Sequence, residues 1–293
     1  LGSIHRGRGD TREAQKGMGN SFTLLLLFGL ALTVLCLLFQ RPILYLFGAS
    51  DVTYPYASDY LSIYLLGTLF VMVGLGMNPF INAQGFGRMG MGTVALGAVV
   101  NIVLDPIFIF LLHMGVKGAA LATVISQGCS AVWVLLFLTG KRTELRLRLS
   151  DLPLSRARVG RILGLGSSGF AMSLTNSLVQ VLCNATLKIY GGDLYVGVMT
   201  VINSIREVIP MPISGITQGC QPVLSYNYGA GRAGRVRQGI RFTAGVTMVY
   251  SVIVWVLTLA VPGLLIRIFN NDALLLADDI PASPAIRCIL VPL

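Results

Sequence analysis

The sequence predicts an all-α integral membrane protein of two parallel-repeat six-helix bundles, a twelve-helix fold that is truncated here to about seven or eight spans. Of 293 residues, 54% are hydrophobic and only 12% are charged, which is more apolar surface than one soluble core can bury. The apolar residues form blocks of about 20, the length that a helix needs to cross roughly 30 Å of hydrocarbon. An internal repeat indicates that the helices form two bundles.

The apolar blocks define the spans in order along the chain. Helices are predicted at about 20–40, 56–77, 92–112, 117–139, 161–189, 195–225 and 240–263, with an eighth from about 280. The first four belong to an N-terminal bundle over 1–140, and a basic cytoplasmic linker follows over 141–160. The remaining helices form a C-terminal bundle over 161–293.

The repeat is clearest in two glycine-rich loops. Gly7-Arg8-Gly9 aligns with Gly229-Ala230-Gly231 at an offset of 222 residues, and Gly17 then aligns with Gly239. Six spans separate equivalent points, so the two halves keep the same orientation in the membrane, as in several transporter folds. The second half has two helices before its loop and the first half has none. We therefore expect the sequence to be a fragment that lacks two opening helices and the last ones.

Positive charge is concentrated in every second connection between spans. This asymmetry places the basic loops in the cytoplasm and predicts a multi-pass protein of the cell membrane. No basic patch is interleaved with aromatic residues on a soluble domain, so a nucleic-acid partner is not expected. The lipid bilayer is the expected partner, and the protein is expected to be monomeric. The clustered cations are Arg6, Arg8, Arg12, Lys16, Arg88, Lys141, Arg142, Arg146, Arg148, Arg156, Arg158, Arg161, Arg232, Arg235, Arg237 and Arg241.

The strongest candidate site is a carboxylate inside an apolar run. Asp105 lies within the third predicted helix, where an ionised side chain costs roughly 2.5–3.5 kcal/mol. Asn101 is one turn earlier on the same face, and Pro106 leaves the carbonyl of Ile102 without its helical donor. These oxygens could bind Na⁺, or the carboxyl could carry a proton. The alternative is a hydrogen-bonded Asp at a helix end near the outer interface.

Thr123 is the next candidate, in a helix that starts with small residues after a tight turn. Small residues let the helices approach closely, so the Thr123 hydroxyl could reach Asp105. The alternative is a bond to its own helix.

Further polar residues in the second half predict a substrate cavity. Asn176, Gln180 and Asn184 recur every four residues and would line a wet cavity or join helices through hydrogen bonds. In the next helix, Asn203, Arg206 and Glu207 fall in mid-span beside two prolines. Intramembrane charges favour a functional role, with a structural ion pair as the alternative.

We expect no enzyme and no resident cofactor. The sequence shows no histidine–cysteine–aspartate constellation at nucleophile or metal-ligand spacing and no phosphate-binding Gly-Lys-Ser/Thr loop. The coupling ion is the only metal expected, with Na⁺ at Asp105 and Asn101.

Three motifs together resemble the multidrug and toxic compound extrusion (MATE) family. They are Asn78-Pro79 to Gln84-Gly85, then Asn101 to Pro106 followed by Gly118-Ala119-Ala120-Leu121-Ala122-Thr123, and Gln218 to Pro222 leading into Tyr226-Asn227-Tyr228-Gly229. The resemblance implies an antiporter that exchanges Na⁺ or H⁺ for cationic or amphipathic drugs by alternating access. It also implies that Asn101, Asp105 and Thr123 belong to a cation site in the first lobe.

The chain departs from the family at one point, because that cation site is completed by an acidic residue on a first helix that is absent here. Two alternatives stay open. One is a flippase for lipid-linked precursors, for which only Arg206 and Lys188 could hold a pyrophosphate. The other is an inactive fragment or scaffold.

Overall fold

The computed structural model describes residues 1–260 except 48, 50 and 142, and it leaves out the side chains at 184, 185, 187–207 and 258–260. The described residues form α-helices and short turns and contain no strand. The helices are α1 (Gly2–Gly7), α2 (Thr11–Leu38), α3 (Gln40–Leu46), α4 (Tyr54–Leu66), α5 (Thr68–Ala83), α6 (Gly87–Pro106), α7 (Gly115–Thr139), α8 (Arg156–Val208), α9 (Met211–Gly229) and α10 (Ala233–Ala260).

Several helices are long and apolar enough to cross a bilayer, which confirms the predicted membrane fold. Within the described part of the chain there are five: α2, α6 with the turn after it, α7, the first part of α8, and α10. The bent pair α4 and α5 makes a sixth if it counts as one span. Their surfaces expose leucine, valine, isoleucine and phenylalanine side chains, as expected where lipid is the solvent.

The helix predicted at 56–77 is bent rather than straight, since α4 and α5 meet at an angle of 55°. Gly67 occupies the break, and a β-carbon there would lie 2.5 Å from a methyl group of Val124 on α7. The bend therefore follows a close approach to α7, which sequence periodicity does not reveal.

Proline shapes the end of α6. Pro106 has no N–H to donate to the Ile102 carbonyl, and Ile107–Leu111 continue as a π-helix. Leu112 then donates its N–H to the carbonyl of Ile107 at 2.9 Å. The predicted span 92–112 is thus α6 plus a π-helical turn, a form often found at functional sites.

The break predicted between 189 and 195 is wrong as a helix boundary. The backbone is helical throughout α8, and the interruption falls at Ile209-Pro210 instead. Proline restricts the residue before it and lacks an amide donor, so it ends the helix more effectively than the glycines at 191 and 192. The helix predicted from about 280 lies outside the described residues.

The chain folds into two compact units. The first contains Leu1–Asn176 with Ser225–Arg232, and the second contains Ser177–Leu224 with the residues from Ala233 onward. The core of the first unit is formed by buried side chains of α2, α5 and α7 with one from the linker. Its members are Ala14, Met18, Val73, Met77, Ile81, Ala131, Val134, Leu138 and Leu145.

The predicted repeat is visible in the backbone. Gly9 and Gly231, aligned by the sequence, have φ angles of 81° and 70°, a left-handed conformation that glycine adopts without steric cost. Gly9 donates to the Arg6 carbonyl at 3.0 Å, and Gly231 donates to the Tyr228 carbonyl at 3.1 Å. The two acceptor residues, Arg6 and Tyr228, are 222 residues apart, as the two glycines are. The two loops are therefore copies of one turn.

The linker predicted over 141–160 packs on the first unit. The Leu145 N–H donates to the Gln84 side-chain oxygen at 2.9 Å. Arg6 forms an ion pair with Glu144 at 2.6 Å. Arg158 donates two hydrogen bonds to the Glu13 carboxylate, at 3.1 and 3.0 Å.

Candidate cation site

The candidate site begins with two residues on one face of α6. The side-chain amide of Asn101 donates to Asp105 Oδ1 at 3.3 Å, as the spacing of four residues predicts. Both side chains are partly buried. Asp105 forms no ion pair with any described residue. Its carboxylate is therefore supported here by an amide rather than by a cationic side chain.

A cavity of about 210 Å³ opens beside this pair, between α5, α6 and α7. Amide and hydroxyl groups line much of it, together with two glycines. Asn101 is part of its wall, whereas Asp105 is not. Asn101 therefore connects the cavity to the carboxylate. The polar lining is provided by Asn78, Thr93, Asn101, Thr123, Ser126, Gln127 and Ser130.

Thr123 lines this cavity opposite Asn101, from α7. Its hydroxyl donates to the Ala119 carbonyl of its own helix at 2.9 Å. No described hydrogen bond joins Thr123 to Asp105, so that predicted contact is not seen. The structure has the alternative, a hydrogen bond within the Thr123 helix. The hydroxyl oxygen can still accept a hydrogen bond or coordinate a cation with its lone pairs.

Asn78 of α5 also lines the cavity, although the sequence indicated it only as part of a motif. It is 8% exposed, and its amide nitrogen donates to the Gly90 carbonyl at 3.0 Å. Its side-chain oxygen is buried without a hydrogen-bond partner, a state that costs about 1–3 kcal/mol. An asparagine within an apolar run and next to a proline was the available signal. The free oxygen can accept from a ligand, a water molecule or a cation.

The other predicted site residues lie in or near the second unit. Asn176 and Gln180 are exposed on α8, and Gln180 makes an interaction with another residue. The side chains of Asn184, Asn203, Arg206 and Glu207 lie outside the described residues, so the predicted substrate cavity there stays a prediction.

Comparison with known proteins places the chain in a family. The MatE family model matches residues 3–107 and again 169–278. The first match includes the Asn101–Asp105 pair. The second begins within α8, so one family model matches both halves of the chain, in agreement with the repeat.

Individual relatives agree with this assignment. The chain is 28% identical over 250 residues to the multidrug export protein MepA of Staphylococcus haemolyticus (strain JCSC1435), covering 84% of this chain and 54% of that one. A crystal structure of MATE in the bent conformation is 24% identical, with a TM-score of 0.87, and the alignment covers 99% of this chain and 64% of that one.

A further solved structure is a MOP superfamily transporter from Pyrococcus furiosus Vc1, described as having a binding pocket of reverse polarity that suggests a different function. It is 23% identical, with a TM-score of 0.87, and the alignment covers 99% of this chain and 63% of that one. The chain thus spans about half the length of the curated relatives it matches. Since the family model matches more than half of the chain, this protein belongs to the MatE family.

Proposed function

We propose that this chain is part of a cation-coupled antiporter that exports cationic or amphipathic compounds. The observation that carries the proposal is the Asn101–Asp105 pair, a carboxylate that forms no ion pair within the described part of the chain and lies beside a cavity with several amide and hydroxyl groups in its wall. Intramembrane carboxylates of this kind mark ion pathways. The relatives named as multidrug export proteins support the same class of function.

The coupling ion is Na⁺ or H⁺. Na⁺ is bound by oxygen atoms, and the oxygen-bearing side chains at or beside the cavity include Asn78, Asn101, Asp105 and Thr123. For proton coupling, the carboxyl of Asp105 carries the proton and the Asn101 amide holds its orientation. Either cation removes the net negative charge from the apolar layer, which lowers the cost of that charge.

Transport follows from alternating access between two bundles of like orientation. Cation occupancy at Asp105 favours one open state only if that state binds the cation more tightly than the other. In the cell membrane, with the basic loops in the cytoplasm, the inward cation gradient then drives export of the drug. We take the monomer as the transporting unit.

Efflux measurements test the proposal. The chain is joined to the remaining helices of a full-length MatE relative, and the chimera is expressed in cells that lack their own efflux pumps, with ethidium export followed by fluorescence. Asp105→Asn is expected to abolish export, whereas Asp59→Asn should retain it, because Asp59 is 46% exposed and pairs with Lys117 at 3.3 Å. Export by the Asp105→Asn chimera at the rate of the parent chimera would contradict the proposal.

A further inference from the structure

A short turn of the linker lies at the depth where the apolar part of α2 begins. We define the linker turn as residues 148–156. Asn20, which is fully buried, donates its side-chain amide to the carbonyls of Asp151 and Pro153 at 3.2 and 2.9 Å. It also accepts from the Ser155 N–H at 3.0 Å. Three hydrogen bonds therefore fix the linker turn against one point on α2.

The position of Asn20 along α2 sets this depth. Thr23, one turn further, donates its hydroxyl to the Leu152 carbonyl at 2.9 Å, and the continuous apolar run of α2 starts at the next residue, Leu24. Asn20 lies nine residues after the start of α2 at Thr11, about 14 Å along the axis at 1.5 Å per residue. The linker turn is thus well beyond the glycine loop at Gly7-Arg8-Gly9 and lies at the membrane boundary.

The exposed side chains of the linker turn include two leucines and two arginines, together with Ser150. Leu149 is 86% exposed and Leu154 is 44% exposed. Arg148 and Arg156 are also exposed, and neither forms an ion pair with a described residue. A single exposed leucine in water needs no explanation. At the membrane boundary, between two free guanidinium groups, the combination matches the chemistry of an interfacial anchor.

We propose that the linker turn is a binding surface for anionic phospholipid. Leu149 inserts among the upper acyl segments, while Arg148 and Arg156 contact phosphate and anionic headgroups. Basic side chains near a membrane surface are attracted to its anionic headgroups. Because Asn20 and Thr23 hold the backbone of the turn rigidly on α2, the anchor ties the first unit to one leaflet at a fixed depth.

Tryptophan fluorescence tests the depth of the turn. In the full chain carrying Trp133→Phe and Trp255→Phe, Leu149→Trp is compared with Arg8→Trp, a control on the exposed glycine loop. Both are reconstituted into phosphatidylcholine vesicles with and without phosphatidylglycerol, and part of the phosphatidylcholine is brominated. Leu154→Trp serves as a second reporter on the same turn.

The proposal predicts blue-shifted emission at 149 and at least about twofold stronger quenching by brominated lipid than at position 8. Phosphatidylglycerol should increase that quenching, and Arg148→Gln with Arg156→Gln should remove the increase. Iodide quenching at 149 as strong as at 8, without quenching by brominated lipid, would overturn the proposal. Equal quenching with and without phosphatidylglycerol would overturn the assignment to anionic headgroups.

Discussion

Gly7 and Gly229, which the repeat aligns, pack backbone against backbone. A β-carbon on Gly7 would overlap the Tyr226 carbonyl, and a β-carbon on Gly229 would overlap the Ile4 carbonyl. Equivalent loops of the two halves therefore contact each other inside the first unit, and each requires glycine at the same position. The Arg6 guanidinium lies 5.8 Å from the ring centre of Tyr226 and adds a cation–π contact beside them.

The first prediction concerns this contact. Gly7→Ala and Gly229→Ala should each lower the free energy of unfolding by about 1–3 kcal/mol, because the added methyl group meets backbone that cannot move without disturbing the partner loop. Thermal unfolding in detergent measures the effect.

Gly17→Ala is the matched control, since a β-carbon there meets nothing within 4 Å. In a helix interior this change should raise stability by about 0.5–1 kcal/mol. Equal melting temperatures for Gly7→Ala and Gly17→Ala would show that the loops are not in contact.

The second prediction concerns the attachment of the linker. Asn20→Ala removes three partly buried hydrogen bonds to the linker turn and should cost about 1–3 kcal/mol. The released linker should then be cut faster by trypsin after Arg148 and Arg156, because proteases need an extended, mobile segment.

Ser21→Ala is the control for that experiment, since the Ser21 hydroxyl donates to the Gly17 carbonyl of its own helix at 2.9 Å. Its cleavage rate should match that of the parent chain. If Asn20→Ala were cut no faster than Ser21→Ala, the hydrogen bonds of Asn20 would not be what holds the linker.

The third prediction separates two glycines of the cavity wall. A β-carbon on Gly97 would overlap the Ser130 hydroxyl, which donates to the Thr93 carbonyl at 3.1 Å. A β-carbon on Gly74 would meet its nearest neighbour, the amide nitrogen of Ala131, at 3.6 Å, an ordinary contact. Gly97→Ala should therefore displace Ser130 and destabilise the chain by about 1–3 kcal/mol.

Gly74→Ala should change stability by less than about 0.5 kcal/mol, as for a substitution that creates no overlap. Thermal unfolding of the two variants side by side checks the difference. The same loss of stability in both would mean that α6 and α7 are not as close as the structure shows.

The fourth prediction is a pH dependence outside the spans. Tyr45 donates its hydroxyl to Asp51 Oδ1 at 2.6 Å, and this hydrogen bond raises the pKa of the Tyr45 phenol above its ordinary value. Only the neutral phenol can donate, so the contact contributes stability below the ordinary pKa of about 10. That contribution is lost as the pH rises through the raised pKa.

Asp51→Asn should therefore lower the pKa of Tyr45 toward its ordinary value. The titration of Tyr45 is isolated as the difference in tyrosinate absorbance between the chain and its Tyr45→Phe variant, recorded with and without Asp51→Asn. An unchanged midpoint would show that Asp51 is not the partner of Tyr45.

The sequence predicted those features that depend on local pattern. Apolar run length predicted the membrane spans of the first 140 residues but misplaced the break that follows α8. Glycine spacing predicted the repeat that Gly9 and Gly231 display. The bend at Gly67 was missed because it depends on the proximity of Val124 on another helix. The role of Asn20 was missed for the same reason, since its partners are backbone carbonyls more than 130 residues away.

For the candidate site, the sequence likewise predicted only the contact between residues of one helix. Asn101 and Asp105 share a helix, so their spacing was enough to predict their contact. Thr123 lies on a different helix, and its hydroxyl has an acceptor in its own preceding turn that competes with any neighbour. Asn78 faces the cavity through the packing of α5 against α6, which the sequence does not encode in any local pattern.

Carbodiimide labelling of Asp105 tests the central claim most directly. An apolar carbodiimide reacts with protonated carboxyl groups in the membrane, and mass spectrometry compares labelling at Asp105 with labelling at the exposed Asp59. If Asp105 is the cation-binding carboxyl group of the apolar layer, the apolar reagent should label it more strongly than Asp59, and Na⁺ in place of choline should protect it when Na⁺ is the coupling ion. Labelling of Asp105 no stronger than that of Asp59, with no response to Na⁺, would contradict the account.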